Sequence, residues 1–596
     1  MHEAQSTKGP PLDCGRPARE IVSRLAGRYG ILAAAVLCAL CVAYFYLLDH
    51  ILFSSHHFSP IFRFLLVTND AKAAWTGLVV CLLASLWNRP APILRWLNFV
   101  TQRPLGLALL SVAILSLAAS VVYHSYPLSM DEYAAVFQSK IFASGSVVAQ
   151  LPRDLTDWLI VRGFNGSFLI ASPESGRAVE AYWPGFALLL FPFEWLDVPW
   201  LCNASLSGLS LFLIYWITRE ITGNGTAGGW AMLFTLASGA FIADGVSYYS
   251  MQAHLTANLL FVALLTKPSG LRVVGAGLIG SLALVLHNPV PHLLFAIPWI
   301  AAIVLHPDRR RYFLPLILGY LPGVALGFLW LELRAEIGLD RHGEGVLSVI
   351  SSGVFAWPDP TMLNNRAAAL VKLCVWAMPS LPLFALIGFV RHRADLRVRL
   401  LAWSAILTFV AYVFVRFDQG HGWGYRYFHS AWGVFPILAG CLMTDKAQGN
   451  PRLVSFAGAT ALLSLMFLVP FQLSQIERFI SAHLAQLSPP KRPGNNIYFI
   501  HPLGGFYVAD MIQIDPLLRS RDLLLVSHGA QLDAQLVQLN WPTAVKVSSS
   551  PVADQWYLGA DEQRLPIPGK REQWRFVIEN VPHKAPTPSL PSAADR

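Results

Sequence analysis

The sequence predicts a polytopic α-helical membrane protein with a small domain at its C-terminal end. Of its 596 residues, 55% are hydrophobic and 13% are charged, and the mean hydropathy is +0.48. Soluble domains carry about twice that charged fraction. Apolar runs long enough to span a bilayer recur as far as about residue 473, and the chain becomes more polar after that point. These observations exclude an ordinary soluble protein.

The predicted order starts with a cytoplasmic tail at 1–28, which is polar and contains four arginines. No cleavable signal peptide is evident, so we expect an uncleaved first span. The transmembrane domain is predicted over 29–473, with about 13 helices of roughly 20 residues. They are expected near 30–48, 73–89, 105–123, 201–218, 227–244, 253–267, 272–288, 289–305, 312–331, 368–390, 400–416, 429–444 and 453–473.

Loop charge predicts the orientation of the chain. Basic residues cluster in the loops at 89–103, 306–311 and 391–399, which the positive-inside rule assigns to the cytoplasm. Alternation of the spans then places the long polar loops on the other, extracytoplasmic side: 124–182, 332–367, 417–428 and everything after about 474. The net charge of +9 therefore indicates membrane orientation, and we expect no nucleic-acid partner.

The segment at 182–193 interrupts this alternation. It is apolar but only about half a span long, and counting it as a full crossing would move the arginines at 309–311 outside. We expect a short, partly re-entrant piece buried in protein, because irregular backbone at membrane depth needs protein partners. The alternative is an error in the number of N-terminal spans.

A small extracytoplasmic α/β or β-rich domain is predicted at 474–585. Pro and Gly at 488–494 indicate a linker, the runs at 496–500 and 522–526 predict strands, and 543–579 is β-rich. The last residues, 586–596, are rich in Pro, Ser and Ala and are expected to be disordered. Neither a Walker nor a Rossmann glycine pattern is present, so ATP-driven transport has no support.

The acidic pair Asp131–Glu132 is the most informative feature, because it follows an apolar span that ends near Tyr123. Carboxylates beside a bilayer are costly to keep ionised unless they face water or a cation. Partial desolvation would raise the basicity of such a group and let it accept a hydroxyl proton. Neighbours on a helix point about 100° apart, so only one of the two can be that base. The structural alternative is that both acids merely cap the next helix.

Lys140 lies two to three turns beyond Asp131 on the predicted helix, near the same face. One interpretation is a contact to a phosphate group, since a phosphate leaving group needs positive charge nearby. The other is a lysine that extends to the membrane interface.

The loop at 420–427 interleaves glycines with His421, Trp423, Tyr425 and Arg426. Glycine lets backbone approach a ligand closely, arginine binds phosphate in a bidentate way, and aromatic faces stack on sugars. The alternative is an aromatic belt at the membrane interface with an orienting arginine. No spacing of His, Cys or carboxylates indicates a metal site.

These motifs resemble the GT-C superfamily of membrane glycosyltransferases, which includes protein O-mannosyltransferases and bacterial aminoarabinose transferases. The stretch from Met130 to Gly145 is similar to the acidic motif of their first large extracytoplasmic loop. Tyr182-Trp183-Pro184-Gly185 is similar to a Tyr-Pro-Pro-Gly-type segment after that loop, although Trp183 stands where the family often has proline. The likeness covers roughly 105–445, and two extra spans precede the acidic loop.

The resemblance implies an inverting single displacement from a polyprenyl-phosphate sugar to an acceptor hydroxyl on a glycan, lipid or protein, at a bacterial inner membrane. Asp131 would be the general base and Glu132 would orient the acceptor or support Asp131. Lys140 and Arg426 would bind the donor phosphate. The expected substrate-binding side chains are Tyr182, Trp183, His421, Trp423 and Tyr425. Some relatives use a divalent metal and others do not, so the cofactor stays open.

Two other classes of function remain as alternatives. A transporter or flippase of lipid-linked glycans would carry charged residues deep in several spans and a pseudo-repeat of its halves. The predicted spans contain almost no acids, and Asp244 lies near the end of one. A non-catalytic subunit of an envelope assembly would tolerate loss of charge at Asp131 and Glu132.

Overall fold

The computed structural model describes residues 16–47, 60–87, 89, 91–338, 355–444, 450–487, 495–502, 507–551 and 572–578. Within these ranges the chain is mainly helical, with two small sheets at one end of a helix bundle. The predicted linker at 488–494 and the predicted disordered tail at 586–596 lie outside the described residues. The first 15 residues of the predicted cytoplasmic tail also lie outside them.

The helices are numbered here in chain order. They are α1 Arg16–Leu47, α2 Pro60–Leu65, α3 Ala71–Ser85, α4 Ala91–Gln102, α5 Pro104–Val121, α6 Met130–Ala143, α7 Thr156–Leu159, α8 Gly185–Trp195, α9 Leu201–Thr222, α10 Gly225–Leu236, α11 Gly239–Val246, α12 Met251–Leu265, α13 Gly270–Val285, α14 Val290–Leu305, α15 Phe313–Ile337, α16 Pro360–Trp376, α17 Leu381–His392, α18 Leu396–Val413, α19 His429–Trp432, α20 Val434–Leu442, α21 Pro451–Leu463, α22 Val469–Leu484 and α23 Ala530–Asn540. Single π-helical turns join α2 to α3 and α21 to α22.

The described residues contain fewer helices of full spanning length than the 13 spans that the sequence predicts. Among the described residues, seven helical segments are long and apolar enough to cross a membrane, or up to nine if each of two bent pairs makes one span. The bent pairs are α10 with α11, at 67°, and α16 with α17, at 92°. Helices α12, α13 and α14 have 15 or 16 residues. At a rise of about 1.5 Å per residue they fall short of a hydrocarbon core of about 30 Å.

The segment after Tyr182 forms α8, a helix of 11 residues. A helix of this length is about 16 Å long and cannot cross a bilayer. Its start packs closely on the end of α13, because a Cβ at Gly185 would lie 2.6 Å from the Val285 carbonyl oxygen. The side chain of Trp195 at its other end is 71% exposed. The prediction of a short segment that does not cross the membrane therefore fits the length of α8.

Helix packing in the bundle depends on small residues. The contact between α13 and α15 places a Cβ at Gly277 only 2.8 Å from the Gly319 Cα. Small side chains let two backbones approach in this way, which is how helices associate in lipid. On the outside, α5 exposes apolar side chains such as Leu109 and Leu117, both more than half exposed. The protein is therefore an integral, multi-pass membrane protein.

Two pairs of ionisable side chains are buried inside the bundle. Lys372 of α16 places Nζ 2.8 Å from Oδ2 of Asp70, at the start of α3. His429 of α19 places Nδ1 2.8 Å from Oδ2 of Asp244 on α11. Asp70 lies outside the spans predicted from the sequence. The predicted span began at residue 73, whereas the continuous apolar helical segment starts at Ile61.

Both small sheets lie at the same end of the bundle. In the 124–182 loop, strands β1 Ala149–Gln150, β2 Leu169–Ala171 and β3 Arg177–Glu180 form an antiparallel sheet in the order β1-β3-β2. The C-terminal residues form strands β4 Asn495–Ile500, β5 Asp522–Val526, β6 Ala544–Pro551 and β7 Glu572–Ile578 in the order β5-β4-β7-β6. Strands β4 and β5 are parallel and α23 follows β5, so the C-terminal domain is of the α/β type.

The C-terminal domain contacts the 124–182 loop directly. The rings of Trp158 and His528 meet edge to face with their centroids 4.5 Å apart. His528 Nε2 also lies 3.1 Å from the Asp157 carbonyl oxygen. At the far end of α9, Glu220 pairs with Lys267 at 2.5 Å and its carbonyl accepts a hydrogen bond from Arg397. The bundle therefore has one end that carries the sheets and another rich in basic residues.

Candidate active site

The acidic pair lies in the first turn of α6, which the sequence starts with a capping box. Ser129 is the N-cap residue, and its backbone N–H donates to Glu132 Oε2 at 3.1 Å. The other carboxylate oxygen, Oε1, accepts the Tyr248 backbone N–H at 3.0 Å. Such bonds satisfy donors that a helix start would otherwise leave without partners. Glu132 is therefore held inside the protein, with no exposed surface.

In this geometry Glu132 caps and holds the start of α6. Burial raises the pKa of Glu132 to about 7, although the hydrogen bonds from Tyr248 and Ser129 oppose that rise. Both oxygens bind groups of the protein itself, so neither is open to an acceptor. Glu132 thus caps α6, and its part in the reaction stays a prediction.

Asp131 points the other way and binds a cation. Its Oδ2 lies 2.9 Å from Nη2 of Arg426, and its Oδ1 accepts a hydrogen bond from the Tyr182 hydroxyl. Burial would raise the pKa of Asp131, but the charge of Arg426 and the Tyr182 hydrogen bond outweigh it and hold the pKa below its usual value. The raised basicity expected from desolvation is therefore not found, because the expectation did not include the arginine.

Arg426 is fixed by the glycine-rich loop around it. Its backbone N–H donates to Gln419 Oε1 at 2.9 Å, and its guanidinium donates to the Gln419 carbonyl oxygen. The guanidinium carbon also lies 4.5 Å from the centre of the Tyr249 ring. Gly422 has a φ of +141°, and a Cβ there would lie 2.7 Å from the Arg426 Cδ. Only glycine fits at this position without strain.

Part of the Arg426 guanidinium has no partner among the residues that the structure describes. The side chain is 6% exposed, and its buried Nε makes no hydrogen bond there. A buried N–H without a partner is costly, because its bonds to water are lost. This atom is therefore a donor that is available to an anion.

Tyr182 and Trp183 separate, although they are adjacent in the sequence. The Tyr182 ring lies 4.0 Å from the His287 ring, centre to centre, beside Asp131. Trp183 packs on α15 instead, where a Cβ at Gly327 would lie 2.2 Å from its Cζ3. Only Tyr182 of this pair hydrogen-bonds to Asp131.

The three aromatic loop residues expected to bind substrate are buried. Trp423 is 1% exposed and donates from Nε1 to the Tyr123 hydroxyl at 3.0 Å. His421 and Tyr425 are each 3% exposed, and His421 Nδ1 lies 2.6 Å from the Tyr249 hydroxyl. These rings hold the loop in place in this structure and do not form an open stacking surface.

Lys140 does not join the ion pair. It lies nine residues beyond Asp131 on α6, a rise of about 13 Å along the helix. Its electrostatic partner is Glu194 of α8. The structure thus separates Lys140 from Arg426, which leaves Arg426 as the cation beside Asp131.

Several residues at the site were not predicted from the sequence. Gln419 and Tyr249 hold Arg426, and His287 lies against Tyr182. Asp510 of the C-terminal domain is 7% exposed and accepts a hydrogen bond from the Met130 backbone N–H. None of these residues has a local motif. Gln419 lies in the same loop as Arg426, and the others reach the site through long-range packing. Within the described ranges, no three metal-binding side chains form a group suited to an ion.

Comparison with known proteins gives structural matches only. Neither protein-family models nor curated proteins match the chain. The fold is similar to a structure of ArnT from Cupriavidus metallidurans bound to undecaprenyl phosphate, with a TM-score of 0.49, 12% identity and coverage of 80% of this chain and 98% of that chain. An apo structure of the same protein has a TM-score of 0.44 with the same identity and coverage.

Proposed function

We propose that this protein is a glycosyltransferase that moves a sugar from a polyprenyl-phosphate donor to an acceptor hydroxyl. The observation that carries the proposal is the ion pair in which Arg426 Nη2 lies 2.9 Å from Asp131 Oδ2. Transfer from a lipid phosphate needs a cation for the phosphate that leaves and a carboxylate for the hydroxyl proton. Arg426 and Asp131 supply these two groups side by side in a membrane protein.

We place this reaction on the extracytoplasmic side of a bacterial inner membrane. The bundle end opposite the sheets carries Lys267 and Arg397, in keeping with the cytoplasmic excess of basic residues in membrane proteins. The acidic helix and the C-terminal domain are at the other end. The acceptor would be a glycan, lipid or protein that reaches that side.

The proposed reaction is a single displacement with inversion. The acceptor oxygen attacks the anomeric carbon and gives its proton to Asp131. At the same time the bond between the anomeric carbon and the phosphate oxygen breaks, and its electron pair leaves with the polyprenyl phosphate. Arg426 balances the charge that this phosphate gains. Tyr182 keeps the Asp131 carboxylate oriented by its hydrogen bond.

Arg426 would also couple donor binding to the basicity of Asp131. While the ion pair is intact, the charge of Arg426 lowers the pKa of Asp131. A donor phosphate would accept hydrogen bonds from the same guanidinium, including the buried Nε that has no partner among the described residues. The phosphate would thereby weaken the ion pair and make Asp131 a better base once the donor is bound.

Release of undecaprenyl phosphate from a panel of undecaprenyl-phosphate sugars tests the proposal. Purified protein is given crude envelope extract as acceptor, and wild type is compared with Asp131→Asn. Asp395→Asn is the matched control, because Asp395 also pairs with an arginine, Arg397, at 2.6 Å but sits elsewhere in the bundle. We expect release by wild type and the control but not by Asp131→Asn. Release by Asp131→Asn at the wild-type rate would remove Asp131 from the mechanism.

A transporter or flippase of lipid-linked glycans is the second candidate. The buried pairs Asp70–Lys372 and Asp244–His429 favour it, since intramembrane charges often mark transport pathways. Vesicles that contain the protein and a fluorescent polyprenyl-phosphate sugar separate the two functions. A flippase changes the leaflet of the label without releasing polyprenyl phosphate, whereas the transferase releases it only when acceptor is present. A non-catalytic assembly subunit would do neither.

A further inference from the structure

The C-terminal domain reaches the acidic helix through one short segment. The segment Tyr507–Ile514 lies between β4 and β5 and contains a short 3-10 helix, Val508–Met511. Asp510 in this helix is 7% exposed, and its Oδ1 accepts the Met130 backbone N–H at 2.7 Å. Met130 is the first residue of α6 and directly precedes Asp131. A side chain of one domain thus binds the turn that presents the proposed base.

Three further contacts tie this segment to the same place. Gln513 Nε2 donates to the Pro127 carbonyl oxygen at 2.5 Å, just before α6. The Tyr133 hydroxyl, one turn into α6, donates to the Ile514 carbonyl oxygen. The Tyr507 ring stacks on His421 in the loop that carries Arg426, with centroids 5.4 Å apart. The segment therefore touches both sides of the Arg426–Asp131 pair.

The first N–H groups of a helix have no partners within the helix, and their hydrogen bonds set the direction in which its first turn points. At α6 these partners come from two sources. Glu132 accepts from the Ser129 backbone, and Asp510 accepts from the next residue, Met130. Glu132 acts from within the helix, whereas Asp510 acts from the C-terminal domain.

We propose that Asp510 is a positioning residue that aligns Asp131 with Arg426, so that the C-terminal domain completes the active site. This inference rests on the proposed transferase function for its catalytic consequence. Its structural content, the attachment of the α6 start by Asp510, does not depend on that function.

Asp510 holds the start of α6 without placing a full negative charge beside Asp131. Burial, and then the carboxylates of Asp131 and Glu132 on α6, raise the pKa of Asp510 to about 8, although the bond from Met130 opposes the rise. Tyr126 and Tyr507 are the other titratable groups that interact with it. A carboxyl group that is mostly neutral near pH 7 is matched in shape and charge by asparagine, whose oxygen can accept the same N–H.

Hydrogen–deuterium exchange of the peptide 127–137 tests the attachment without any need for activity. In Asp510→Ala we expect these amides to exchange about tenfold faster, because a buried donor is left without its acceptor. Asp510→Asn is expected to restore the wild-type rate. Asp533→Ala is the matched control: Asp533 is also buried in the C-terminal domain, but among the described residues it accepts hydrogen bonds from Ser527 and His528 of that same domain. It should leave exchange at 127–137 unchanged.

Activity provides the second measurement. Asp510→Ala should lower kcat for undecaprenyl phosphate release by about tenfold or more, since small misplacements of a reacting group are costly, with little change in the KM for donor. Asp510→Asn should recover most of the lost kcat.

Unchanged exchange of the peptide 127–137 in Asp510→Ala, or equal acceleration of that exchange in Asp533→Ala, would overturn the inference. If Asp510→Ala does not fold, Gln513→Ala replaces it and must accelerate the same peptide by a smaller factor. If wild type releases no lipid phosphate, the proposed function is refuted. The exchange measurement then decides by itself whether Asp510 holds the start of α6.

Discussion

Lys372 and Asp70 form an ion pair inside the helix bundle, with Nζ 2.8 Å from Oδ2 and both side chains 1% exposed. Trp376, one turn further along α16, donates from Nε1 to the other oxygen of Asp70 at 2.6 Å. The pair joins the start of α3 to α16, two helices that are far apart in the chain. Water does not reach the buried pair, so each of its two charges is compensated mainly by the other.

Removing one member of this pair should be much worse than removing both. Lys372→Met leaves the Asp70 carboxylate buried without its cation, which costs about 3–5 kcal/mol in comparable cases. The double variant Asp70→Leu with Lys372→Met removes both charges and should recover much of that loss. The thermal midpoint of each variant in detergent gives the measurement. Equal midpoints for the single and double variants would show that the unpaired Asp70 carboxylate is not the cause of the loss.

The pH dependence of transfer should report the ion pair of the site. Arg426 holds the pKa of Asp131 below its usual value, so wild type should keep Asp131 ionised well into the acidic range. Arg426→Gln removes that charge and lets the pKa of Asp131 rise. The acidic limb of kcat/KM against pH should therefore move to higher pH in Arg426→Gln, whereas Arg426→Lys should move it less. An acidic limb that stays in place would argue against Asp131 as the group that titrates.

Gly422 should be more sensitive to substitution than Gly420 in the same loop. A Cβ at Gly422, with φ +141°, would lie 2.7 Å from the Arg426 side chain, whereas Gly420, with φ +62°, has no atom within 4 Å of such a Cβ. Both alanine variants carry backbone strain of about 1–3 kcal/mol. Only Gly422→Ala should also displace Arg426 and weaken binding of undecaprenyl phosphate, by about tenfold for a lost charge-assisted hydrogen bond. Titration calorimetry of the two variants compares them, and similar affinities would contradict this account.

Asp510 should make the protein less stable as the pH rises. Its folded pKa is raised to about 8, well above the value of about 3.9 for an unfolded aspartate. A raised pKa means that the folded state binds more protons, so this contribution to stability is complete below about pH 4 and is lost as the pH rises to about 8. Between about pH 6 and pH 8.5, the thermal midpoint of Asp510→Asn should therefore fall less than that of wild type. Asp154, an exposed carboxylate, provides the control variant Asp154→Asn.

Much of the fold follows from local properties of the sequence. Every predicted span overlaps at least one helix, because an apolar run in lipid must satisfy its own backbone hydrogen bonds. The sequence predicted about 13 spans, whereas seven to nine segments of the described residues are long and apolar enough to cross a membrane. Hydropathy alone does not show where a helix bends or ends early. The bend of 92° between α16 and α17 falls inside one predicted span.

The sequence by itself determined the membrane class and the helix that begins at the acidic pair, since apolar runs and the Ser129–Glu132 capping box act over a few residues. It also pointed to Asp131 and Arg426 as candidates for a functional site. Only the tertiary structure decided that these two charges meet, that Lys140 stands apart, that Trp423 is buried and that Asp510 binds the start of α6. The reason is physical: hydrogen bonds and ion pairs act over a few ångströms, and long-range packing alone brings distant segments that close.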